Sequence, residues 1–208
     1  FLERLDALPP KERKRYFLAQ FGEASQDSLW TEELYEQQRF LPSVSRKLPD
    51  MVRVVVAVVP SGCEGEEDTR SDEVGIVVVG LGTDNNGYLL EDLTGRYGPS
   101  TWGSIVSGAY ERHRADCVVG ERNFGGAMVS HVIATANDKI PIKLVTASRG
   151  KVVRAAPVAS LYERGRIFHV GYFPEMEEQG LNFFPNGYAG MKSPDTQKDP
   201  LRPAHPVR

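Results

Sequence analysis

The sequence has 208 residues, of which 40% are hydrophobic and 25% charged, and its formal net charge at pH 7 is −3. This length suits one sizeable domain with room for an extension, and the near-neutral charge excludes a global polycation, so any surface for nucleic acid must be local. Cys63 and Cys117 form no C-x-x-C pair and predict a reducing compartment without a disulfide framework. Because the sequence has no long apolar run and no signal-peptide pattern, we expect a soluble, cytoplasmic protein.

Residues 1–50 combine many charged and aromatic side chains. Apolar residues recur there at helical spacing, at Leu29, Trp30, Leu34 and Tyr35. Thr31 is placed to cap a helix that begins at Glu32. We expect two short helices joined by a polar loop, with the aromatic residues as packing anchors, before Leu48–Asp50 interrupts the pattern.

The middle of the chain predicts three strands followed by alternating helices and strands. Met51–Val59 is a nearly continuous valine run, typical of a strand buried on both faces. The turn Asp84–Gly87 has hairpin chemistry and joins the strands Val74–Gly80 and Gly87–Asp92. The elements after them are a helix at Pro99–Arg112, a strand at Cys117–Gly120, a helix at Gly126–Asn137, a strand at Ile140–Val145, a helix at Lys151–Arg164 and a short strand at Ile167–Val170. Pro157 offers an alternative start for the last of these helices.

This order, β-β-β-α-β-α-β-α, predicts an α/β fold: a mixed sheet with helices on both faces. A right-handed crossover would bring the carboxyl ends of the first, third and fourth predicted strands to one edge, which would carry Val59, Asp92 and Glu121. Open α/β sheets place their sites at such edges, so Glu121 is the first candidate catalytic residue. The alternative is an ordinary acidic side chain at the end of a strand.

Several common sites are excluded by their motifs. Gly80–Gly82 lacks the third glycine and the following helix of a dinucleotide site. The sequence contains neither a Walker A lysine motif nor a G-x-S-x-G elbow. Its four histidines have no metal-ligand spacing: His113, His131, His169 and His205.

Several longer motifs carry a family resemblance. They read V-R-V-V-V-A-V-V-P-S-G, S-D-E-V-G-I-V-V-V-G, V-V-G-E-R-N-F-G-G-A-M-V, K-V-V-R-A-A-P-V-A-S-L-Y-E-R-G-R-I-F-H-V-G and a late S-P-D. In this order, over roughly residues 50–195, they resemble the nuclease domain of the large terminase subunit of tailed phages and prophages. The resemblance implies a helical linker at 1–50 that would follow an ATPase domain absent from this chain, a ribonuclease-H-like nuclease domain at 51–195 and an irregular, proline-interrupted tail at 196–208.

The resemblance also implies a function: a metal-dependent endonuclease that cuts concatemeric phage DNA during genome packaging. It implies one or two Mg²⁺ or Mn²⁺ ions, which prefer oxygen ligands and activate water. Glu121 matches the second acid of the family and Asp195 the last acid, so both are expected to be catalytic metal ligands. Asn123, Gly125 and Gly126 would shape the site. The implied partners are double-stranded DNA, the small terminase subunit and the portal, in the host cytoplasm and without a membrane.

Val59 departs from the family pattern because it occupies the position of the first acid, and valine cannot bind a metal. One interpretation is that Asp92 or an acid of the following loop replaces that ligand, the loop candidates being Glu64, Glu66, Glu67, Asp68 and Asp72. The other is a domain with impaired metal binding, which at the extreme is an inactive DNA-binding or packaging-complex docking module. A junction resolvase or transposase of the same fold is a lesser alternative.

Basic residues are concentrated late in a chain that is otherwise acidic. The candidates for DNA contact are Arg149, Lys151, Arg154 and Arg166, with Lys143 and Arg164 nearby in sequence. Lys151 and Arg154 lie inside the matched motif, and no base-reading element accompanies them. The pattern therefore predicts sequence-independent contact with phosphates, and the alternative is a solvated helix face.

Overall fold

The computed structural model describes residues 28–61, 73–122 and 126–188, which a seven-stranded mixed sheet organises. The strands are β1 (Arg39–Phe40), β2 (Met51–Val59), β3 (Gly75–Gly82), β4 (Gly87–Asp92), β5 (Cys117–Glu121), β6 (Ile142–Val145), β7 (Ile167–Val170), β8 (Phe183–Phe184) and β9 (Gly187–Tyr188). The helices are α1 (Glu32–Gln37), α2 (Pro99–Arg112), α3 (Gly126–Ala136), α4 (Lys151–Glu163) and α5 (Pro174–Leu181). The strand order is β1-β7-β4-β3-β2-β5-β6, and β8 and β9 form a separate pair.

The predicted fold class is confirmed. Strands β2, β4 and β7 and helix α2 have the predicted bounds, and β3, β5, β6, α3 and α4 differ from theirs by a few residues. Thr31 caps α1 by accepting a hydrogen bond from the Leu34 amide at 3.1 Å. The β3–β4 hairpin turns through Asn85, whose φ of 63° suits asparagine. The first of the two expected N-terminal helices lies outside the described residues.

Two local predictions were incomplete or wrong. The alternative start of α4 at Pro157 is wrong, because the helix begins at Lys151 and contains this proline. Pro157 cannot donate to the carbonyl of Val153, and the helix tolerates this because both residues are exposed and water can reach that carbonyl. The sequence also did not predict β1, α5 or the β8–β9 pair.

One face of the sheet carries the main hydrophobic core. Alternate residues of β2, β3 and β5 point to this face and pack against α2 and α3: Val54, Val56, Val58, Ile76, Val78 and Val118 meet Trp102, Val106, Val129 and Ile133. A side chain at Gly120 would lie 2.7 Å from Val129 Cγ1, so glycine allows α3 to approach β5 closely. Each fully buried valine contributes about 1.5 kcal/mol, which makes this face the main source of stability.

The opposite face is less well covered, which corrects the prediction that Met51–Val59 is buried on both faces. Val55, Ala57 and Val59 of β2 are only half-buried. The helix on this face is α4, whose Tyr162 contacts His169 of β7. Because α4 crosses from the β6 side to β7, it covers the middle of the sheet only in part.

A buried polar network joins β1 to β7, α4 and α5. His169 is fully buried, with Nε2 2.6 Å from the Tyr162 hydroxyl and Nδ1 2.8 Å from Glu177 Oε1. Since a carboxylate only accepts, Nδ1 donates to Glu177, and in the neutral ring Nε2 accepts from Tyr162. Arg39 pairs with both oxygens of Glu177, at 2.9 and 3.0 Å, and with Glu36. Removing one member would leave a buried partner unpaired, so this network fixes the segment around β1 against the sheet.

Within the described ranges, no helix combines the length and the apolar character that crossing a membrane requires.

The Glu177 network predicts an acid-sensitive contribution to stability. Burial alone would raise the pKa of Glu177, but hydrogen bonds and charges from His169 and Arg39 lower it from 4.5 to about 2. A lowered folded-state pKa stabilises the protein above the unfolded value, and this contribution is lost as the pH falls from about 4.5 towards 2. We expect about 2 kcal/mol of such stability in the wild type, after allowance for solvent screening, and none of it in Glu177→Gln.

Urea unfolding between pH 6 and pH 2.5 measures this difference. Glu175→Gln, an exposed position in the same helix, is the matched control and should keep the wild-type pH dependence. Parallel stability curves for the wild type and Glu177→Gln would contradict the assignment.

Candidate functional site

The carboxyl ends of β2, β4 and β5 meet at one edge of the sheet, as predicted. Strand β2 is antiparallel to β3, which is antiparallel to β4, and β2 is parallel to β5. Val58 pairs with Gly120, so the next residues, Val59 and Glu121, are neighbours on the half-covered face. Their backbones are about 5 Å apart, the spacing of adjacent strands.

Glu121 is a buried carboxylate at this edge. Its side chain is 8% exposed, and Oε2 lies 3.9 Å from Arg154 Nη1. Oε1 is fully buried and has no hydrogen-bond partner among the described residues. A buried polar atom that stays unpaired costs about 1–3 kcal/mol, so a partner for this oxygen would be favourable. Such an oxygen is suited to a ligand: a cation, or a water that donates to it.

Asp92 is not brought to Glu121. It pairs with Val77, and three strand spacings separate β4 from β5, which corresponds to about 14 Å. Its Oδ1 accepts a hydrogen bond from the Thr94 amide at 3.0 Å, a turn-stabilising role. Asp92 therefore cannot replace a ligand next to Glu121.

The remaining predicted acids and two of the site-shaping residues lie outside the described residues. These are Asp195, Asp72, the loop candidates Glu64, Glu66, Glu67 and Asp68, and also Asn123 and Gly125. Gly126 begins α3 and is buried, and a side chain there would lie 3.1 Å from Arg122 Cγ. Gly126 thus allows the first turn of α3 to pack closely against Arg122.

The predicted basic residues divide into two groups. Lys151 and Arg154 lie in the first turn of α4, and Arg149 precedes its N-cap, Gly150. Arg154 contacts Glu121, and the other two are close to Arg154 along the chain. Arg166 lies at the opposite edge of the sheet, because it precedes β7 and its Nε donates to Asn86 Oδ1 at 2.7 Å in the β3–β4 turn. Its guanidinium also bonds the Asn85 carbonyl. The structure therefore does not bring Arg166 together with the other three basic residues, and its guanidinium braces the hairpin. A DNA contact by Arg166 stays a prediction.

The described residues do not complete a site for a divalent cation. Among them, no three His, Cys, Asp or Glu side chains lie close enough together to hold a metal. Mg²⁺ and Mn²⁺ prefer about six oxygen ligands, and here Glu121 supplies one carboxylate beside Val59. What the described edge does provide is a buried acceptor next to the partly exposed guanidinium of Arg154, a group that can bind phosphate.

The Tyr162, His169 and Glu177 network resembles a nucleophile, base and acid arrangement in its distances alone. His169 is fully buried and Tyr162 nearly so, and a substrate cannot reach them. Sequence reasoning missed this cluster. The signal that could have located α5 was Pro174 followed by Glu175 and Glu177, which is the pattern of a first helical turn.

An open groove of about 580 Å³ runs along α2, on the opposite face of the sheet from Glu121.

Comparisons with known proteins identify the fold. The family model described as "Terminase RNaseH-like domain" matches residues 64–180, more than half of the chain. Among solved structures, the large terminase of the thermophilic bacteriophage D6E is similar at a TM-score of 0.52 and 10% identity, over 73% of this chain and 37% of that one. The HK97 bacteriophage large terminase is similar at a TM-score of 0.52 and 12% identity, over 86% and 42%. No curated protein matches the chain.

These identities show the fold alone. The chain spans 37% of the length of the D6E protein and 42% of that of the HK97 protein, so it corresponds to a part of such proteins.

The burial of Glu121 predicts a stability gain on neutralisation. Glu121→Gln removes a buried charge whose one described ionic contact is long, and we expect the free energy of unfolding to rise by about 1 kcal/mol. Urea unfolding at neutral pH tests this, with the exposed Glu163→Gln of the same sheet face as the control. A loss of stability in Glu121→Gln would show that the carboxylate is well satisfied and is kept for structure.

Proposed function

This chain belongs to the terminase RNase H-like domain family, and on that premise we propose that it is the nuclease domain of a phage large terminase, acting on DNA during genome packaging. The observation that carries the proposal is the buried, incompletely bonded carboxylate of Glu121 at the carboxyl edge of the sheet. Open α/β sheets place their sites at this edge. A fold that keeps an unsatisfied acid there, at a cost in stability, supports a role for that acid in binding or catalysis.

DNA would approach this edge from the α4 side. Lys151, Arg154 and Arg149 can neutralise backbone phosphates without reading bases, so the contact would be independent of sequence. We propose double-stranded DNA as the substrate, with the small terminase subunit and the portal as packaging partners in the host cytoplasm. Residues 51–195 would form the nuclease unit, to which β1 adds a short strand.

We propose that cleavage depends on one or two Mg²⁺ or Mn²⁺ ions and is impaired by Val59. Glu121 would be one ligand, and Asp195 would have to be another. With valine beside Glu121, the ion would lack one oxygen ligand at the centre of the edge. It would then keep more of its water ligands and bind more weakly. Replacement of that ligand by Asp72 stays a prediction, because this residue lies outside the described part of the chain.

A second candidate is a non-catalytic module that binds DNA or docks to the packaging complex. The Glu121 carboxylate has Val59 beside it and Arg154 as its described ionic contact, and this arrangement favours the second candidate. The two candidates differ in one observable, which is cleavage in the presence of a divalent cation.

Restoring the missing acid tests the nuclease proposal. We expect Val59→Asp to nick supercoiled plasmid in Mn²⁺ at least about tenfold faster than the wild type, because the second carboxylate completes a ligand pair next to Glu121. The double variant Val59→Asp with Glu121→Ala should lose this gain. The measurement is the rate of conversion of supercoiled to open-circular DNA.

Val59→Thr is the matched control for size and polarity without charge. If Val59→Asp and the wild type are equally inert although both bind DNA, the metal-site assignment fails and the non-catalytic module is favoured. If neither binds DNA, both candidates lose support.

The division of the basic residues predicts a salt-dependent binding pattern. Removing Lys151 and Arg154 together should lower the slope of log K against log salt by about 2, because each phosphate contact contributes about 0.9. Arg166→Ala should leave the slope unchanged, since its guanidinium braces the β3–β4 hairpin. Fluorescence anisotropy of labelled duplex DNA at several salt concentrations measures both slopes. An equal loss in the Arg166 variant would return this residue to the contact surface.

A further inference from the structure

Helix α4 is anchored to the rest of the domain by its second half. All 13 of its residues are described, and the two buried ones are Ala159 and Tyr162. Residues 151–158, which include Lys151 and Arg154, are half-buried or exposed. Arg154 precedes Tyr162 by about 12 Å along the helix axis. The contacts that hold Tyr162 therefore also orient the basic start of α4.

Residues 28–40, which we call the strap, supply much of what holds Tyr162. The strap comprises α1, β1 and the residues just before α1. The rings of Trp30 and Tyr35 meet the Tyr162 ring edge to face, with centroids 6.1 and 6.0 Å apart. His169 of β7 adds a third ring contact and the hydrogen bond to the Tyr162 hydroxyl. Aromatic pairs at these distances are favourable, so the strap contributes directly to the anchor of α4.

The strap is itself attached by a few polar and backbone contacts. The Leu29 amide donates to the Phe183 carbonyl at 2.8 Å, and the two residues of β1 pair with β7. The Arg39 guanidinium pairs with Glu177 at 2.9 Å. The buried residue of α1 is Tyr35. A two-residue edge strand and a helix with one buried side chain offer little apolar burial, so we expect the strap to open locally before the sheet unfolds.

The strap is an unsuitable surface for DNA. Its α1 carries Glu32, Glu33 and Glu36. Its one cationic residue is Arg39, which is buried. Because phosphates are repelled by acidic side chains, an effect of DNA on the strap would have to pass through the domain, and Tyr162 is a contact that joins the strap to α4.

We propose that the strap is a clamp on α4: its docking against Tyr162 holds the helix where Lys151 and Arg154 contact DNA phosphates. Bound DNA in turn stabilises the docked strap, because coupling between two binding events is reciprocal. Trp30 and Tyr35 are positioning residues, since they act through Tyr162. This inference rests on the proposed function, because it needs DNA to bind at the start of α4.

Hydrogen exchange of the wild-type chain, with and without a short DNA duplex, tests the coupling without any substitution. We expect saturating duplex to slow the exchange of amides in residues 28–40 by about fivefold or more, the low end of couplings between sites. Helix α2 lies on the other face of the sheet and should exchange equally in both samples. If the wild type binds the duplex and the exchange of residues 28–40 does not change, the inference is overturned.

Trp30→Ala removes one contact of the strap and leaves the sequence of α4 intact. By fluorescence anisotropy we expect it to bind the duplex about fivefold more weakly than the wild type. The matched control is Leu41→Ala, a truncation of an exposed apolar side chain just beyond the strap, which should bind as the wild type does.

A double-mutant cycle shows whether the strap acts through the basic start of α4. In a chain that already carries Lys151→Ala and Arg154→Ala, Trp30→Ala should have little further effect, because the side chains that the clamp positions are gone. An equal loss in both backgrounds would contradict the proposal.

The failures can be told apart. A wild type that does not bind the duplex counts against the proposed function and the clamp together, whereas normal binding with unchanged exchange counts against the clamp alone. Urea unfolding establishes whether Trp30→Ala is folded, and if it is not, the exchange experiment on the wild type decides.

Discussion

The parallel pairing of β2 with β5 is the constraint on which the candidate site depends. It places the two strand ends side by side, and the pairing of Val58 with Gly120 makes Val59 and Glu121 neighbours. Because side chains alternate along a strand, a slip of one residue would turn Glu121 into the core formed with α2 and α3. The valines of the opposite face, such as Val56 and Val118, hold the register because they fill that core. The site is therefore positioned by hydrophobic packing on the other side of the sheet.

The half-covered face then determines the chemistry of the edge. A carboxylate buried in an apolar face loses hydration, and Glu121 recovers only part of it from an arginine 3.9 Å away. On the covered face, burying such a carboxylate without a partner would cost too much free energy. In full solvent it would be an ordinary surface charge. The intermediate cover given by α4 is what allows a buried acceptor and a partly exposed cation, Arg154, to lie together. The same arrangement leaves the edge without an oxygen ligand at Val59, and no three acidic, histidine or cysteine side chains of the described residues gather there to hold a metal.

Much of the fold could be predicted from the sequence because its signals are local. Valine runs, the Asp84–Gly87 turn and the proline at the start of α2 each specify an element without help from distant residues. Strand β1 could not be predicted, since two residues show no periodicity and its pairing with β7 depends on a contact between Arg39 and Glu177 across the chain. The separation of Arg166 from the other basic residues could not be predicted for a related reason. Its position directly before a strand parallel to β4 puts it at the amino edge, and only the pairing of β7 reveals this.

Helix α4 connects the two polar features of the half-covered face. At its end, Tyr162 is held by the fully buried His169, and through it by Glu177 and Arg39. At its start, Arg154 faces Glu121. A helix of 13 residues is about 20 Å long, so the buried network fixes the axis on which Arg154 is carried, without touching the carboxylate. The fold thus separates two roles: buried hydrogen bonds anchor the end of the helix, and a long, partly exposed side chain at its start reaches the edge. A substitution at Arg39 or Glu177 would affect Glu121 only by displacing this whole helix. The network therefore supports the site and is not part of its chemistry.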